Sequence, residues 1–155
     1  RRSGLMNKDF FIIKLRTMYT NAEENGPQWS TNKDKRITKI GKLLRKYRLD
    51  ELPQLLNVLK GEMSLIGPRP ERPEIDKNLS KEINNYNLKY LAKPGLSGWA
   101  QVNYPYGASV EDTKMKFSYD IYYVKNHSTF FDFLIFFETI RLVLNLRGSE
   151  PIKKT

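Results

Sequence analysis

Proline and glycine cut this chain into short pieces, and that punctuation constrains the fold more than any other sequence feature. Gly26-Pro27, Gly61, Gly67-Pro68-Arg69-Pro70 and Lys93-Pro94-Gly95 all interrupt the backbone. Proline fixes φ and restricts the residue before it, and glycine adopts conformations that other residues avoid. Between these breaks the pattern changes repeatedly. Residues 10–18 are aromatic and β-branched and alternate from Ile13 onward, which predicts a strand with Lys14 and Arg16 on one face. Residues 20–35 are polar and aperiodic, a surface loop. From Ile37 to Tyr47 the apolar residues recur at helical spacing among Arg36, Lys39, Lys42, Arg45 and Lys46, predicting a basic amphipathic helix. A second helix is expected from Leu49-Asp50-Glu51-Leu52-Pro53 to Lys60, with Asp50 as its N-cap. A short apolar strand then leads into the rigid turn at 67–70. Residues 73–91 read as one polar helix, and Leu96 to Val102 as a short apolar stretch ending in the aromatic turn Asn103-Tyr104-Pro105-Tyr106-Gly107. Ser109 and Asp112 form a capping box for a helix to about Asn126. The last helix, 130–146, is apolar at twelve of seventeen positions, but Asp132, Glu138, Arg141 and its length argue against a membrane span. At 155 residues the chain is one domain of α+β class, small and predominantly helical, with a short β element at 10–18.

Charge and composition narrow the chemistry. Without cysteine there is no disulfide, thiol nucleophile or thiolate zinc site, and with His127 as the one histidine, Ser-His catalysis and His-cluster metal sites are excluded. The formal charge is +10, and residues 1–60 hold fourteen cations against six acids. An anionic partner is therefore expected: a phosphate compound, a nucleic acid or an acidic lipid surface. What survives is chemistry by carboxylates, Lys, Arg and backbone groups, with a hard cation. The chain opens at Arg1 without Met, signal core or transit-like segment, so it reads as part of a longer protein.

Asp50-Glu51 is the sharpest local feature. Adjacent carboxylates at a helix start are what any helix prefers, and they are also a pair in which one attacks an electrophile while its neighbour holds a divalent cation. Arg45, Arg48 and Arg69 converge on the pair if the two helices fold back at Arg48-Leu49, a composition suited to phosphoryl transfer. Arg69 stands between two prolines, as a rigid phosphate clamp or simply as part of a structural turn. The basic helix is a solvated or a membrane-facing surface. Asp120 is an ion-pairing carboxylate or a supporting group, and His127 carries no chemistry. The glycines form neither G-x-G-x-x-G nor a P-loop.

Six ordered blocks then resemble the bacterial sugar transferases, the monotopic phosphoglycosyl transferases. They are Lys14-Leu15-Arg16-Thr17-Met18; Arg36-Ile37-Thr38-Lys39-Ile40-Gly41; Leu49-Asp50-Glu51-Leu52-Pro53-Gln54-Leu55; Asn57-Val58-Leu59-Lys60-Gly61-Glu62-Met63-Ser64; Gly67-Pro68-Arg69-Pro70; and Lys93 through Asn103. The resemblance implies that residues 1–155 are a catalytic domain moving a sugar phosphate from a UDP-sugar to polyprenyl (undecaprenyl) phosphate, with release of UMP. It further implies a nucleophilic Asp50 carrying a covalent phosphosugar, Glu51 with Asp50 as Mg²⁺ ligands, and Arg45, Arg48, Arg69, Lys89, Lys14 and Arg16 as phosphate-binding or supporting cations. Asp120 and Gln101 are candidates for supporting roles. The family's re-entrant membrane helix is expected upstream of Arg1, and the cytoplasmic face of the bacterial inner membrane is the expected location. The alternatives are a noncatalytic membrane-surface module or a nucleic-acid-binding module; on the transferase reading nucleic acid is not a partner. Three departures from the family pattern stand out. Asn103-Tyr104-Pro105-Tyr106-Gly107 replaces a frequent Asn-Gly-Arg, Lys89 stands where Arg is usual, and Arg48 replaces a small hydroxyl residue. The Tyr-Pro-Tyr-Gly form resembles a subset associated with exopolysaccharide assembly.

Overall fold

The computed structural model describes residues 1–24, 26, 34–104 and 109–145. Most of the 20–35 loop, residues 105–107 of the aromatic turn and the end of the 130–146 segment lie outside the described residues.

Among the described residues helices dominate, with two two-stranded sheets. Strand β1 (Arg2–Ser3) turns through a 3₁₀ segment, Leu5–Asn7, and pairs antiparallel with β2 (Asp9–Phe10), Arg2 opposite Phe10. The strand expected over 10–18 ends at Phe10; beyond it only Met18 makes a bridge, to Ile37. The backbone of this segment finds other partners. Asn57 accepts from the Ile13 amide (3.0 Å) and donates to the Phe11 carbonyl (2.8 Å), the Leu15 amide donates to the Asp50 carbonyl (3.0 Å), and the Thr17 carbonyl accepts from the Thr38 amide (3.0 Å). A buried side chain and scattered backbone contacts thus replace a ladder.

Helix α1 (Lys39–Lys46) starts at Thr38, whose hydroxyl accepts from the Gly41 amide. It lies so close to the preceding segment that a Cβ on Gly41 would meet the Thr17 carbonyl oxygen at 2.0 Å. A 3₁₀ helix, Leu49–Gln54, runs into α2 (Leu55–Leu59), and Gly61 ends the unit at φ +78°. Strand β3 (Ser64–Ile66) pairs in parallel with β4 (Gly95–Ser97), a pairing not expected from the sequence. The backbones nearly touch there, since a Cβ on Gly95 would lie 2.1 Å from the Gly67 amide nitrogen. The single helix expected over 73–91 is divided into α3 (Pro73–Glu82) and a 3₁₀ helix, Tyr86–Leu91, because Ile83 is extended and Asn85 takes φ +60°. Short α4 (Trp99–Asn103) follows β4. The capping box at Ser109 and Asp112 opens α5 (Val110–Asn126), and Ser128 caps α6 (Thr129–Leu144).

The core sits in the C-terminal two-thirds. One cluster joins Ile66, Tyr123 and Ile135, with Trp99, Val102 and Phe131 against it; a second joins Leu79, Ile83 and Tyr86, with Phe117. Among the described residues no helix is long and apolar enough to cross a membrane.

Candidate active site

Asp50 and Glu51 open the 3₁₀ helix rather than cap it. The position expected for Asp50 as N-cap is taken by Arg48, in the left-handed region at φ +55° and without a side-chain cap, which puts both carboxylates in the first turn. Asp50 is only 7% exposed, and its carbonyl is tied to Leu15. That bond brings Lys14 beside the pair. Glu51 is held from the other side: Arg69 Nη2 donates to its Oε1 at 2.6 Å. Arg69 is exposed between Pro68 and Pro70, which are both buried, so the turn anchors itself by its prolines and presents its guanidinium. Arg45 donates from Nε to Thr17 Oγ1 (2.9 Å), fixing α1 to the extended segment.

Electrostatics separate the two acids. Burial, then the Glu51 charge, holds the Asp50 carboxyl above the ordinary carboxylate range, against the pull of Lys14 and Arg45. Burial pushes Glu51 up as well, but Arg69 by charge and hydrogen bond, with Arg48 and Lys14, outweighs it and leaves Glu51 below its ordinary value. The two carboxyls are thus shifted in opposite directions, Asp50 toward its protonated form and Glu51 toward its ionised form. Desolvation and the neighbouring cations Arg2, Arg45 and Arg69 lower the Lys14 ammonium, with Asp50 acting in the opposite sense. Burial likewise lowers Arg48, which lies in the field of Glu51, Arg69 and Asp50.

Lys14, Arg45, Arg48 and Arg69 thus gather around the carboxylates, a convergence the sequence led us to expect of the three arginines. Arg16 is exposed, and its side chain bonds to no described residue. Lys89 lies elsewhere. Only 2% exposed, it donates from Nζ to Tyr86 Oη (2.7 Å), stands 3.9 Å from Asp76 Oδ1, and packs over the rings of Tyr86 and Tyr90. A cation so enclosed ties α3 to the following 3₁₀ helix. Asp120 on α5 is buried, and desolvation raises its carboxyl to about 7 in spite of Lys89 and Lys116. Gln101 donates to the Leu96 carbonyl (3.3 Å), and among the described residues its buried Oε1 has no hydrogen-bond partner. The sequence reading missed Lys116, which lies in the field of Glu71 and Arg69; the readable signal was its place one turn before Asp120. It also missed Asn57, whose side chain holds Phe11, Ile13 and Glu62 together.

Among the described residues no group of three or more His, Cys, Asp and Glu side chains is placed to hold a metal. Two adjacent carboxylates nevertheless fit Mg²⁺, which commonly takes one or two protein carboxylates and completes its shell with water and substrate phosphate.

A rigid arginine turn, paired carboxylates and converging cations stand together here, a composition suited to phosphate chemistry, and the comparisons with known proteins give the family. The chain belongs to the bacterial sugar transferase family, whose model matches residues 1–146. Over 149 residues it is 49% identical to the UDP-N-acetylgalactosamine-undecaprenyl-phosphate N-acetylgalactosaminephosphotransferase of Aeromonas hydrophila, covering 96% of this chain and 35% of that protein. It is 40% identical to the UDP-glucose:undecaprenyl-phosphate glucose-1-phosphate transferase of Xanthomonas campestris pv. campestris, covering 96% of this chain and 31% of that one. It is also 41% identical to the uncharacterized sugar transferase EpsL of Bacillus subtilis, over 99% of this chain and 71% of that protein. The chain thus spans about a third of the length of the first two.

Proposed function

We propose that this domain transfers a sugar phosphate from a UDP-sugar to polyprenyl phosphate, undecaprenyl phosphate by the names of the relatives, through an ester on Asp50. The observation that carries this reading is the Asp50-Glu51 pair, with Arg69 bonded to Glu51 and with Lys14 and Arg45 in the field of Asp50. An Asp50 oxygen attacks the phosphorus that bears the sugar; the bond from that phosphorus to the bridging oxygen breaks, and UMP leaves with that oxygen. An oxygen of the polyprenyl phosphate then attacks the same phosphorus, the acyl-phosphate bond breaks, and the Asp50 carboxylate is restored. Charge on the non-bridging oxygens is met by Lys14, Arg45 and Arg69. Glu51, favoured in its ionised form by Arg69, would with Asp50 hold Mg²⁺, which would supply charge neutralisation for phosphoryl transfer. Burial of Asp50 limits competing attack by water.

The reading extends to a membrane surface, at the cytoplasmic face of the bacterial inner membrane. Ile40, Leu43, Leu52, Leu56 and Leu59 are exposed next to Lys39, Lys42, Lys46 and Lys60, the composition of an interfacial element on anionic lipid.

The test uses the full-length protein with UDP-sugar labelled in the phosphate next to the sugar, Mg²⁺ and no acceptor. UMP release and a label mapped to Asp50 are expected, with neither in Asp50→Asn. A label on another residue, or turnover by Asp50→Asn, overturns the assignment.

A further inference from the structure

Arg2 lies outside every motif quoted for this family, yet the fold brings it to the candidate active site. The Ser3 amide donates to the Glu71 carbonyl at 3.0 Å, which lays β1 along the end of the Pro68-Arg69-Pro70 turn. Ser3 is buried, and strand alternation sends its neighbour Arg2 to the opposite face, where it is half-buried. The turn holds Arg69 on Glu51, and the Leu15–Asp50 bond holds Lys14 at the same place. Arg2 therefore lies in the field of Arg69, and Lys14 in the field of Arg2.

Its bonding is the telling feature. Among the described residues the Arg2 side chain makes one hydrogen bond, from Nη1 to the Arg1 carbonyl (3.0 Å), and no salt bridge. Of the acids whose charge favours its cationic form, Glu71 makes no salt bridge with it and Glu23 is bonded through both oxygens to Arg72. Among the described residues Lys14 too makes no salt bridge, and Arg2 is the first of the cations that lower it, with Asp50 acting in the opposite sense. Like charges held near one another are destabilising in the empty protein, and a bound anion relieves that repulsion.

We propose that Arg2 and Lys14 form a phosphate subsite beside Asp50-Glu51, with Arg2 supplying a bidentate guanidinium contact. The ligand is a phosphate group of one of the two substrates, so the inference rests on the reading above for its place in the reaction, but not for anion binding itself.

The first experiment needs no turnover. Melting of the full-length protein is followed with and without pyrophosphate for the wild type, Arg2→Ala, Arg2→Lys and a neighbouring control, Arg1→Ala, whose guanidinium is paired with Asp9. Pyrophosphate is expected to raise Tm in the wild type and in Arg1→Ala, to do so weakly in Arg2→Lys, and to fail in Arg2→Ala. The empty Arg2→Ala protein should melt no lower than the wild type. A lowered Tm with an intact pyrophosphate shift shows a structural arginine and overturns the proposal. A second experiment assigns the substrate by measuring adduct formation from UDP-sugar alone and discharge of the adduct by polyprenyl phosphate. In Arg2→Ala one of the two KM values should rise about tenfold, as for loss of a charge-assisted contact; both remaining within twofold overturns the subsite. If the wild type forms no adduct but its pyrophosphate shift still depends on Arg2, the subsite stands and the Asp50 chemistry falls.

Discussion

Between residues 39 and 59, Ile40, Leu43, Leu52, Leu56 and Leu59 face solvent, while Asp50, Gln54 and Asn57 are buried. Between residues 73 and 126 the arrangement is the ordinary one. Leu79, Ile83, Tyr86, Tyr90 and Tyr123 are buried, and the enclosed cation Lys89 is wrapped by two tyrosine rings and faced by Asp76. One protein thus holds a region stabilised by apolar burial and another whose interior is a polar clasp. The inverted region is also the one that carries the carboxylates. A polar interior gives Asp50 fixed dipoles and charges in place of water, and it leaves the apolar residues pointing outward, where the proposed membrane surface has a use for them.

The contrast breaks most readily at the residue on which the ordinary core closes. Ile135 is fully buried against Ile66 and Tyr123. Ile135→Ala should cost about 3 kcal/mol, as for other large-to-small changes that leave a cavity. Urea unfolding of the two proteins measures this; a loss under about 1 kcal/mol would place the stabilising core elsewhere.

In the inverted region the corresponding residue is polar. Asn57→Ala removes one acceptor and two donor contacts at once and leaves the Ile13 amide and the Phe11 carbonyl without their partner. We expect a loss of about 2 kcal/mol. Because the same segment carries Leu15, which is bonded to Asp50, adduct formation should fall as well. An unfolding curve unchanged in Asn57→Ala would show that water can replace the clasp and that the interior of this region is not closed.

This residue also shows what the sequence reveals and what it hides. Helix α1, the capped α5 and the Asp50-Glu51 pair were legible because their signals are local: helical spacing, Ser109 three residues before Asp112, two adjacent acids. The strand expected over 10–18 failed because extended backbone needs a distant partner, and that partner was a side chain more than forty residues away rather than another strand. The parallel pairing of β3 and β4 was hidden for the same reason, although Gly67 and Gly95 recorded the close approach. Lys89 was expected among the phosphate-binding cations because the sequence does not show a tyrosine cage. Spacing did predict which positions of α1 are apolar; that Ile40 and Leu43 would lie outside follows only from where Gly41 meets Thr17.

Asp120 gives the ordinary region a pH dependence with a definite sign. Its folded carboxyl is raised to about 7, mainly by desolvation, from an ordinary value near 3.8. Between those values the folded state holds a proton that the unfolded state has released, so this group makes stability fall as pH rises and adds nothing further above about 7. Asp120→Asn removes the contribution. The difference in Tm, variant minus wild type, should therefore grow from pH 5 to pH 7.5 and then level off. A difference independent of pH would mean that Lys89 and Lys116 keep Asp120 ionised throughout.

The smallest effect on stability is expected where the contrast is sharpest. Leu59 is 83% exposed and Ile40 is 72% exposed, so replacing both with serine removes almost no buried area. Stability should stay within about 0.5 kcal/mol of the wild type, as for surface changes generally. For a leucine or isoleucine in a core the same substitution would be severe. If the outward face meets lipid, the cost should reappear in a different measurement: sedimentation of this 155-residue domain with anionic vesicles should weaken in the double serine variant, and vesicles without anionic lipid should retain little of either protein. Vesicle binding equal in the two proteins would show that the exposed leucines do not make the lipid contact, and would leave the basic residues of α1 as the attraction.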